Sequence, residues 1–161
     1  MLSLADALVA RASSYGAAVI VNDRVDLARL SGACGAHVGQ EDIAPAAARA
    51  LLGADAVLGL STHTPAQLRD AAGAPVTYVA VGPVFGTTTK DTGYTAVGLD
   101  LVSLAAESTA RPVVAIGGIT LDRAASVIGA GASMVAVIGD LLAGGDPAAR
   151  VRAYAAELGR A

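Results

Sequence analysis

The stretch Ala17–Ser31 reads AAVIVNDRVDLARLS, an apolar run followed by a polar step and then by an amphipathic segment. An apolar run without polar alternation predicts a strand that is buried on both faces, and apolar residues at helical spacing predict the helix after it. The same order of strand and helix recurs along the chain, with Gly, Pro, Asp or Ser at the boundaries. The sequence therefore predicts an α/β protein with a parallel sheet.

Working outward from this stretch, the pattern predicts six strands, each followed by a helix, and one helix ahead of the first strand. The predicted strands are Ala17–Asp23, Ala36–Gly39, Ala56–Ser61, Tyr78–Gly82, Pro112–Gly117 and Met134–Ile138. The predicted helices are Leu4–Ser14, Val25–Ser31, Pro45–Leu52, Pro65–Ala72, Leu99–Glu107, Leu121–Ile128 and Pro147–Leu158. Two architectures fit this order, a doubly wound open sheet and part of an eight-fold βα barrel, and periodicity alone does not choose between them. No linker, low-complexity tract or block of charge divides the chain, so one domain over residues 1–161 is expected.

Composition excludes several classes of protein. Hydrophobic residues make up 54% of the chain and charged residues 16%, which excludes a disordered protein. A net charge of −3 without clustered Lys and Arg argues against binding to nucleic acid or to an acidic membrane surface. The longest stretch without a charge, Ala71–Thr89, contains two prolines, so no membrane-spanning helix is predicted.

Two features indicate the cell compartment. The N-terminus carries Asp6 and Arg11 where a signal peptide would be apolar, so it is predicted to be an amphipathic helix rather than a secretion signal. The single cysteine, Cys34, cannot form an internal disulfide, and its small neighbours predict a packed apolar thiol, as expected in a reducing compartment. A cytoplasmic protein is therefore predicted.

Polar residues follow the predicted strands, and in both architectures ligands bind at the carboxyl ends of the strands. Asp23 and Asp42 come after consecutive strands, with Asn22 and Gln40 beside them. Paired carboxylates suit Mg²⁺, whose remaining ligands are water and substrate phosphate oxygens. Each aspartate also precedes a predicted helix, so helix capping is the alternative interpretation, and both stay open.

Two further groups suit phosphate chemistry. The segment Thr87–Lys90 offers three hydroxyls and an ammonium group on a glycine-flanked loop, although a solvated loop explains it equally well. Gly117 and Gly118 follow a strand and precede a helix, and Gly139 follows the next strand. Backbone N–H groups in these places resemble the phosphate site that the last two loops of a βα barrel form.

The hydroxyl and imidazole side chains do not predict acyl chemistry. Ser61 and His63 stand two residues apart on one strand end, and no G-x-S-x-G elbow is present, so a catalytic triad is not expected. Ser61 is predicted to donate a hydrogen bond to a substrate. His37 is predicted to be a core or strand-end histidine.

Five motifs, in order along the chain, closely resemble those of the thiamine-phosphate synthases: VNDRVDLA, HVGQEDI, LGLSTHT, VGPVFGTTTK and VVAIGGI. The resemblance runs from about Gly16 to Gly145. It implies a TIM (β/α)₈ barrel, of which this chain would contain about six βα units. It also implies a transferase that joins hydroxymethylpyrimidine diphosphate to a thiazole phosphate with the help of Mg²⁺. The products would be thiamine phosphate and pyrophosphate, formed through a pyrimidine-methyl cation that the thiazole nitrogen captures.

The same resemblance implies a role for each residue that matches a family motif. Asp23 and Asp42 would bind Mg²⁺. Ser61 and Lys90 would be catalytic, Ser61 beside the reacting pyrimidine and Lys90 against the diphosphate. The other implied substrate-binding residues are Asn22 for the diphosphate or pyrimidine, and Thr87, Thr89, Gly118, Ile138 and Gly139 for the thiazole phosphate.

This chain departs from the family pattern in two places. The family usually has Val-Ser after the last strand, where this chain has Ile138-Gly139-Asp140, so a hydroxyl is lost and a carboxylate is expected near a phosphate. The family's opening strands, with a Gln-Leu-Arg segment that binds the pyrimidine diphosphate, have no counterpart. Because a barrel without two strands exposes two sheet edges, association into homo-oligomers is favoured. The chain alone is therefore expected to be poorly stable and poorly active.

Two alternatives to the synthase remain. One is the thiazole tautomerase of the same family, which uses a histidine where His63 stands. The other is an inactive remnant that still binds phosphate. Asp23, Asp42 and Lys90 favour the synthase, because an isomerase needs no contact with a diphosphate.

Overall fold

The computed structural model describes residues 1–89 and 93–159. The strands are β1 Ile20–Asn22, β2 Gly35–Val38, β3 Val57–Thr62, β4 Tyr78–Val81, β5 Val113–Ile116 and β6 Met134–Ala136. The helices are α1 Leu2–Ser13, α2 Val25–Ser31, α3 Pro45–Leu52, α4 Pro65–Ala72, α5 Gly98–Ser108, α6 Leu121–Gly129, α7 Gly139–Leu142 and α8 Pro147–Leu158. The alternation of strand and helix is confirmed.

The strand order decides between the two predicted architectures. The six strands are hydrogen-bonded in the order β1-β2-β3-β4-β5-β6, which is also their order along the chain. A doubly wound sheet reverses direction at a switch point, whereas a βα barrel adds each strand beside the one before it. The order is therefore that of a TIM-type barrel, with six βα units in this chain.

The chain divides into two compact units, Met1–Ser61 with Gly73–Val79 and Thr62–Ala72 with Ala80–Ala161. In unit 1, the parallel register pairs Ile20 with Gly35 and Gly35 with Val57. A Cβ on Gly35 would overlap the backbone of Val57, so glycine is required where these strands approach. The unit 1 core includes Val25, Ala28, Ala36, Val38, Ala48 and Leu58.

Unit 2 contains β5 and β6, which pair in parallel from Val114 opposite Met134 to Ile116 opposite Ala136. Its core again contains many small aliphatic side chains, and it includes Val81, Val84, Val102, Val113, Ala115, Ala124 and Val127. Small side chains on the strands allow helices to pack closely on the sheet. The prediction of one domain over residues 1–161 stays a prediction.

Besides small shifts in the bounds of several helices and strands, three features differ from the sequence predictions. Helix α7 was not predicted, because four residues are too short to show helical periodicity. Strand β6 ends at Ala136 rather than at Ile138, since Ile138 becomes the N-cap residue of α7. Cys34 is exposed rather than packed, because it lies in the turn between α2 and β2. Among the described residues, no helix is long and apolar enough to cross a membrane.

Candidate active site

At the carboxyl end of β1, the chain turns sharply at Asp23. Asn22 is the last residue of β1 and is paired with His37 of β2. Asp23 has φ of +62°, a left-handed conformation that Asp tolerates better than most residues, and its N–H donates to the carbonyl of His37 at 2.8 Å. Both predicted residues, Asn22 and Asp23, therefore lie at the carboxyl end of β1 beside β2.

Neither aspartate is the N-cap residue of the helix that follows it. Helix α2 begins after Arg24 and α3 after Ala44, and neither N-cap residue accepts a side-chain hydrogen bond. Instead, Oδ2 of Asp42 accepts a hydrogen bond from the N–H of Gly39 at 2.7 Å, which closes the turn after β2. The prediction that the two aspartates are the N-cap residues of α2 and α3 is therefore wrong, because Arg24 and Ala44 occupy those positions.

The donor set at this edge fits Mg²⁺ better than it fits a structural metal ion. Asp23 and Asp42 follow strands that are hydrogen-bonded neighbours. In the part of the chain that the structure describes, no group of three or more His, Cys, Asp or Glu side chains could hold a metal. Mg²⁺ needs only one or two carboxylates when water and substrate phosphate complete its shell. Two carboxylates after neighbouring strands are oxygen ligands of the kind that Mg²⁺ takes, so the donor types present fit this ion.

Ser61 lies near the end of β3 and is fixed by two side chains of unit 1. Its Oγ lies 2.8 Å from Nε2 of His37, and its carbonyl accepts a hydrogen bond from Nε2 of Gln40 at 2.6 Å. Both contacts come from β2 or the turn after it. Ser61 is half-buried, so these contacts constrain the position of its backbone carbonyl and of its hydroxyl oxygen.

The other nitrogen of His37 is bonded to a tyrosine. Nδ1 of His37 lies 2.9 Å from the hydroxyl of Tyr78, and the two rings are stacked with centroids 5.5 Å apart. Gly59 lies opposite His37 in the β2–β3 register, and a Cβ on Gly59 would overlap both rings. The prediction of His37 as merely a core or strand-end histidine missed these contacts. A glycine inside a buried strand is the signal that could have found them.

In unit 2, the loops after β4 and β5 approach each other backbone to backbone. Val84 N–H donates to Ile116 O at 2.9 Å, and Phe85 N–H donates to Gly117 O at 3.0 Å. Gly118 has φ of +62°, and a Cβ there would lie 2.5 Å from the carbonyl oxygen of Gly86. The Gly-Gly pair is therefore required by this close approach, which a side chain would prevent.

The predicted phosphate-binding residues of unit 2 follow β4, β5 and β6. Thr89 N–H donates to Oγ1 of Thr87 at 3.2 Å, and a Cβ on Gly139 would lie 3.6 Å from Oγ1 of Thr89. Ile138 is 54% exposed at the start of α7. Lys90 lies outside the described residues. The structure thus brings Thr89 and Gly139 together. Thr87 directly follows Gly86, whose carbonyl oxygen lies close to Gly118.

Asp140 does not put a free carboxylate beside this region. Arg150 donates two hydrogen bonds to its oxygens, at 2.9 and 2.8 Å, and the hydroxyl of Tyr154 donates a third at 2.6 Å. The N–H of Leu121, the first residue of α6, donates a fourth at 3.2 Å. The expected repulsion between this carboxylate and a phosphate is therefore offset, because the charge of Asp140 is paired with Arg150.

These contacts change the acidities of the cluster. Burial alone would raise the pKa of Asp140, but the hydrogen bonds from Tyr154 and Arg150 outweigh it and the pKa lies below the usual carboxyl value. Burial and the adjacent carboxylate raise the pKa of Tyr154. Both shifts favour an ionised Asp140 and a neutral Tyr154.

His63 has structural contacts of its own. Its ring is stacked on Tyr94 with centroids 4.0 Å apart, and its Nδ1 contacts the carbonyl oxygen of Gly82. Gln67 accepts from the N–H of His63 and donates to the hydroxyl of Tyr94. His63, Gln67 and Tyr94 therefore form one contact network within unit 2.

Comparison with known proteins agrees with the architecture and the motifs. A solved structure of thiamine phosphate pyrophosphorylase from Pyrococcus furiosus superposes with a TM-score of 0.90 at 27% identity, over 99% of this chain and 76% of that one. The thiamine-phosphate synthase of Koribacter versatilis is 46% identical over 84% of this chain and 64% of its own length. A thiamine biosynthesis bifunctional protein of Symbiobacterium thermophilum is 48% identical over 91% of this chain and 31% of its own length.

The chain thus spans less than two thirds of the length of these two curated relatives. The family model described as thiamine monophosphate synthase matches residues 1–141, which is most of the chain. This match covers more than half of the chain, and the strand order is that of a βα barrel. The chain belongs to the thiamine monophosphate synthase family.

Proposed function

We propose that this chain catalyses the reaction of a thiamine-phosphate synthase, which joins hydroxymethylpyrimidine diphosphate to a thiazole phosphate and releases pyrophosphate. The observation that carries the proposal is the set of polar residues at the ends of three consecutive strands of unit 1: Asn22, Asp23, Asp42 and Ser61. Parallel strands end at one edge of a sheet, where βα barrels bind their substrates. The family membership supports the same reaction.

Magnesium is part of the proposal. Asp23 and Asp42 would hold the ion, with water and diphosphate oxygens as the remaining ligands. Bound Mg²⁺ supplies positive charge that stabilises the departing diphosphate. The position of both carboxylates after strands that are hydrogen-bonded neighbours supports this assignment.

The residues of this chain would divide the remaining work between the two substrates. Ser61 would contact the pyrimidine through its fixed hydroxyl, and Asn22 would contact the pyrimidine or its diphosphate. Lys90 would bind the diphosphate, whose oxygen leaves with the electron pair of the broken C–O bond. The thiazole nitrogen supplies the electron pair of the new C–N bond, so no oxidant or reductant is needed.

The loops of unit 2 would bind the thiazole phosphate. The donors would be the backbone N–H of Gly118 and Gly139 and the hydroxyls of Thr87 and Thr89, with Ile138 as an apolar neighbour. Closely packed glycine backbones leave room for a phosphate to approach N–H groups. The ion pair of Asp140 with Arg150 supports this use, since it offsets the only carboxylate that follows β6 directly among the described residues.

The tautomerase alternative is disfavoured by the position of His63. An acid or base must reach the proton that it transfers. The ring of His63 is stacked on Tyr94 and bonded through Nδ1 to the backbone of Gly82. These contacts give His63 a packing role, which leaves the synthase as the better-supported function.

We also propose small molecules as the partners and the cytoplasm as the location. A negative net charge and the lack of a membrane-spanning helix in the described ranges are consistent with both. Self-association into a homo-oligomer is proposed as well, because β1 and β6 lie at the two ends of the strand order and a strand edge can pair with a second copy. Sedimentation at several protein concentrations measures that association.

The experiment that tests the function measures binding of each substrate separately by calorimetry, with and without Mg²⁺. We expect the thiazole phosphate to bind in both conditions and the pyrimidine diphosphate to bind tightly only with Mg²⁺. Asp23→Asn and Asp42→Asn should each weaken diphosphate binding about 10-fold or more. The matched control is Asp55→Asn, because Asp55 is exposed in the turn before β3. This substitution should leave binding of the diphosphate unchanged. Binding of the thiazole phosphate alone would instead indicate the inactive remnant.

A further inference from the structure

His37 lies between two hydroxyl groups that contact its two ring nitrogens. Nε2 is 2.8 Å from Oγ of Ser61, and Nδ1 is 2.9 Å from the hydroxyl of Tyr78. Both distances are those of good hydrogen bonds. All three residues are half-buried and belong to unit 1, on β2, β3 and β4.

The backbone around this ring is built to admit it. Gly59 leaves the space that the rings of His37 and Tyr78 occupy, because any Cβ there would overlap both. Tyr78 stacks on the imidazole at an interplanar angle of 22°, which restricts rotation of the ring. The imidazole therefore presents Nε2 to Ser61 in a fixed direction.

The chemistry of the two hydroxyls assigns the ring protons. A phenol is a better hydrogen-bond donor and a poorer acceptor than an aliphatic alcohol, which favours Tyr78 as the donor to Nδ1 and a ring proton on Nε2. Burial raises the pKa of Tyr78, which keeps the phenol protonated. Nε2–H then donates to Oγ of Ser61. If the imidazole takes up a second proton, Nε2–H still donates to Oγ of Ser61. This hydrogen bond is therefore the same for the neutral and the charged imidazole.

The consequence concerns the proton of Ser61. When Oγ accepts from His37, the hydroxyl proton of Ser61 points away from the imidazole and can be donated to another group. Gln40 adds a second restraint through the carbonyl of Ser61, at 2.6 Å. Hydrogen bonds in series polarise one another, so the chain from Tyr78 through His37 makes Ser61 a better donor.

We propose that His37 is a positioning residue, which orients the Ser61 hydroxyl as a hydrogen-bond donor to the pyrimidine substrate, while Tyr78 fixes the proton of His37 on Nε2. The inference rests on the proposed function for its substrate. The hydrogen-bond directions among Tyr78, His37 and Ser61 involve protein groups alone, so that part of the inference does not depend on the proposed function. A histidine that only filled space would not need a proton on the nitrogen that faces Ser61.

The kinetic test compares His37→Leu with His37→Gln, since Gln retains an N–H donor close to the place of Nε2. We expect His37→Leu to lower kcat about 10- to 100-fold with little change in the KM of the thiazole phosphate. His37→Gln should recover most of that loss. In a Ser61→Ala background, His37→Leu should lower kcat only slightly further, because the two residues act through the same hydroxyl group. Equal losses for Leu and Gln, or additive losses with Ser61→Ala, would overturn the proposal.

The second test needs no turnover. Nitrogen NMR of the His37 imidazole distinguishes a protonated Nε2 from a bare one. We expect Nε2 to be protonated in the wild type and a mixture of tautomers in Tyr78→Phe. A bare Nε2 in the wild type would overturn the proposal even if the enzyme is active. A protonated Nε2 in a protein that makes no thiamine phosphate would instead leave the hydrogen-bond assignment standing and reject the proposed function.

Discussion

Arg150 of helix α8 donates two hydrogen bonds to the carboxylate of Asp140 in helix α7, with N–O distances of 2.9 and 2.8 Å. The side chain of Asp140 is only 9% exposed. The same carboxylate accepts from Tyr154 and from the first N–H of α6. Asp140 therefore joins α6, α7 and α8 within unit 2, directly after the Gly139 that is proposed to bind phosphate.

Breaking this cluster should destabilise the protein. We expect Asp140→Ala to lower the free energy of unfolding by about 2 kcal/mol, because it leaves Arg150 and Tyr154 without their acceptor. Tyr154→Phe removes one hydrogen bond and should cost about 1 kcal/mol. Chemical denaturation measures both values. Glu157→Gln, on the exposed face of α8, is the control and should change stability by no more than about 0.5 kcal/mol. Equal stabilities for Asp140→Ala and the control would contradict the account.

The lowered pKa of Asp140 predicts a dependence of stability on pH. A carboxyl whose pKa is lower in the folded state contributes stability above its unfolded pKa, about 3.9, and loses it as the pH falls through the folded value. The difference in unfolding free energy between wild type and Asp140→Asn should therefore have its largest value near neutral pH. It should shrink as the pH falls below about 4. Denaturation of both proteins across acidic pH checks this, and a difference that grows with acidity would have the wrong sign.

Gly139 offers a direct test of the phosphate site. A Cβ at this position would meet only Oγ1 of Thr89, at an ordinary 3.6 Å, so a serine fits. Gly139→Ser should restore the hydroxyl that the family pattern has here and tighten thiazole phosphate binding up to about 10-fold, the value of one hydrogen bond. Gly144→Ser, in open space, should leave the affinity unchanged. Weaker binding by Gly139→Ser would argue against a phosphate beside this residue.

Gly118 should tolerate no side chain. Its φ of +62° and the 2.5 Å approach of a Cβ to Gly86 O predict strain of about 1–3 kcal/mol in Gly118→Ala. The loop would shift, so the KM of the thiazole phosphate should rise at least about 10-fold. Gly129→Ala, at the end of α6 with no atom near its added Cβ, is the matched control and should be neutral or slightly stabilising. Steady-state kinetics and thermal unfolding measure the two effects. Equal KM values and equal stabilities for Gly118→Ala and Gly129→Ala would contradict the prediction.

Gly59 should be equally restrictive in unit 1. An added methyl group in Gly59→Ala would displace the rings of Tyr78 and His37. Ser61 would then lose its contact with Nε2, and we expect kcat to fall about as far as in His37→Leu. Gly73→Ala, with open space around its Cβ, is the control. Full activity in Gly59→Ala would mean that the His37 contacts are dispensable.

Local signals in the sequence predicted much of the fold. Helices α2, α3, α4 and α8 have the predicted bounds, three of them because a proline fixes the first turn. The apolar runs predicted all six strands, although their ends moved by up to three residues. Periodicity could not choose the architecture, because strand order depends on pairing between distant segments. The observed order β1 to β6 decides it.

The candidate site could be predicted only in part. Strand-end positions identify Asp23, Asp42 and Ser61, because the βα repeat fixes where strands end. The contacts of His37 and the neutralisation of Asp140 could not be foreseen. Each depends on partners 10 to 41 residues away, whose meeting is set by register and helix packing.

The most direct test of the central claim is turnover. The assay supplies hydroxymethylpyrimidine diphosphate, thiazole phosphate and Mg²⁺ and measures pyrophosphate and thiamine phosphate together. It is run on the 161-residue chain and on a form extended upstream by about 50 residues, two βα units. We predict equal amounts of both products in at least one form, lost when Mg²⁺ is chelated. Neither product from either form, when both are folded and bind the thiazole phosphate, would contradict the assignment as a synthase.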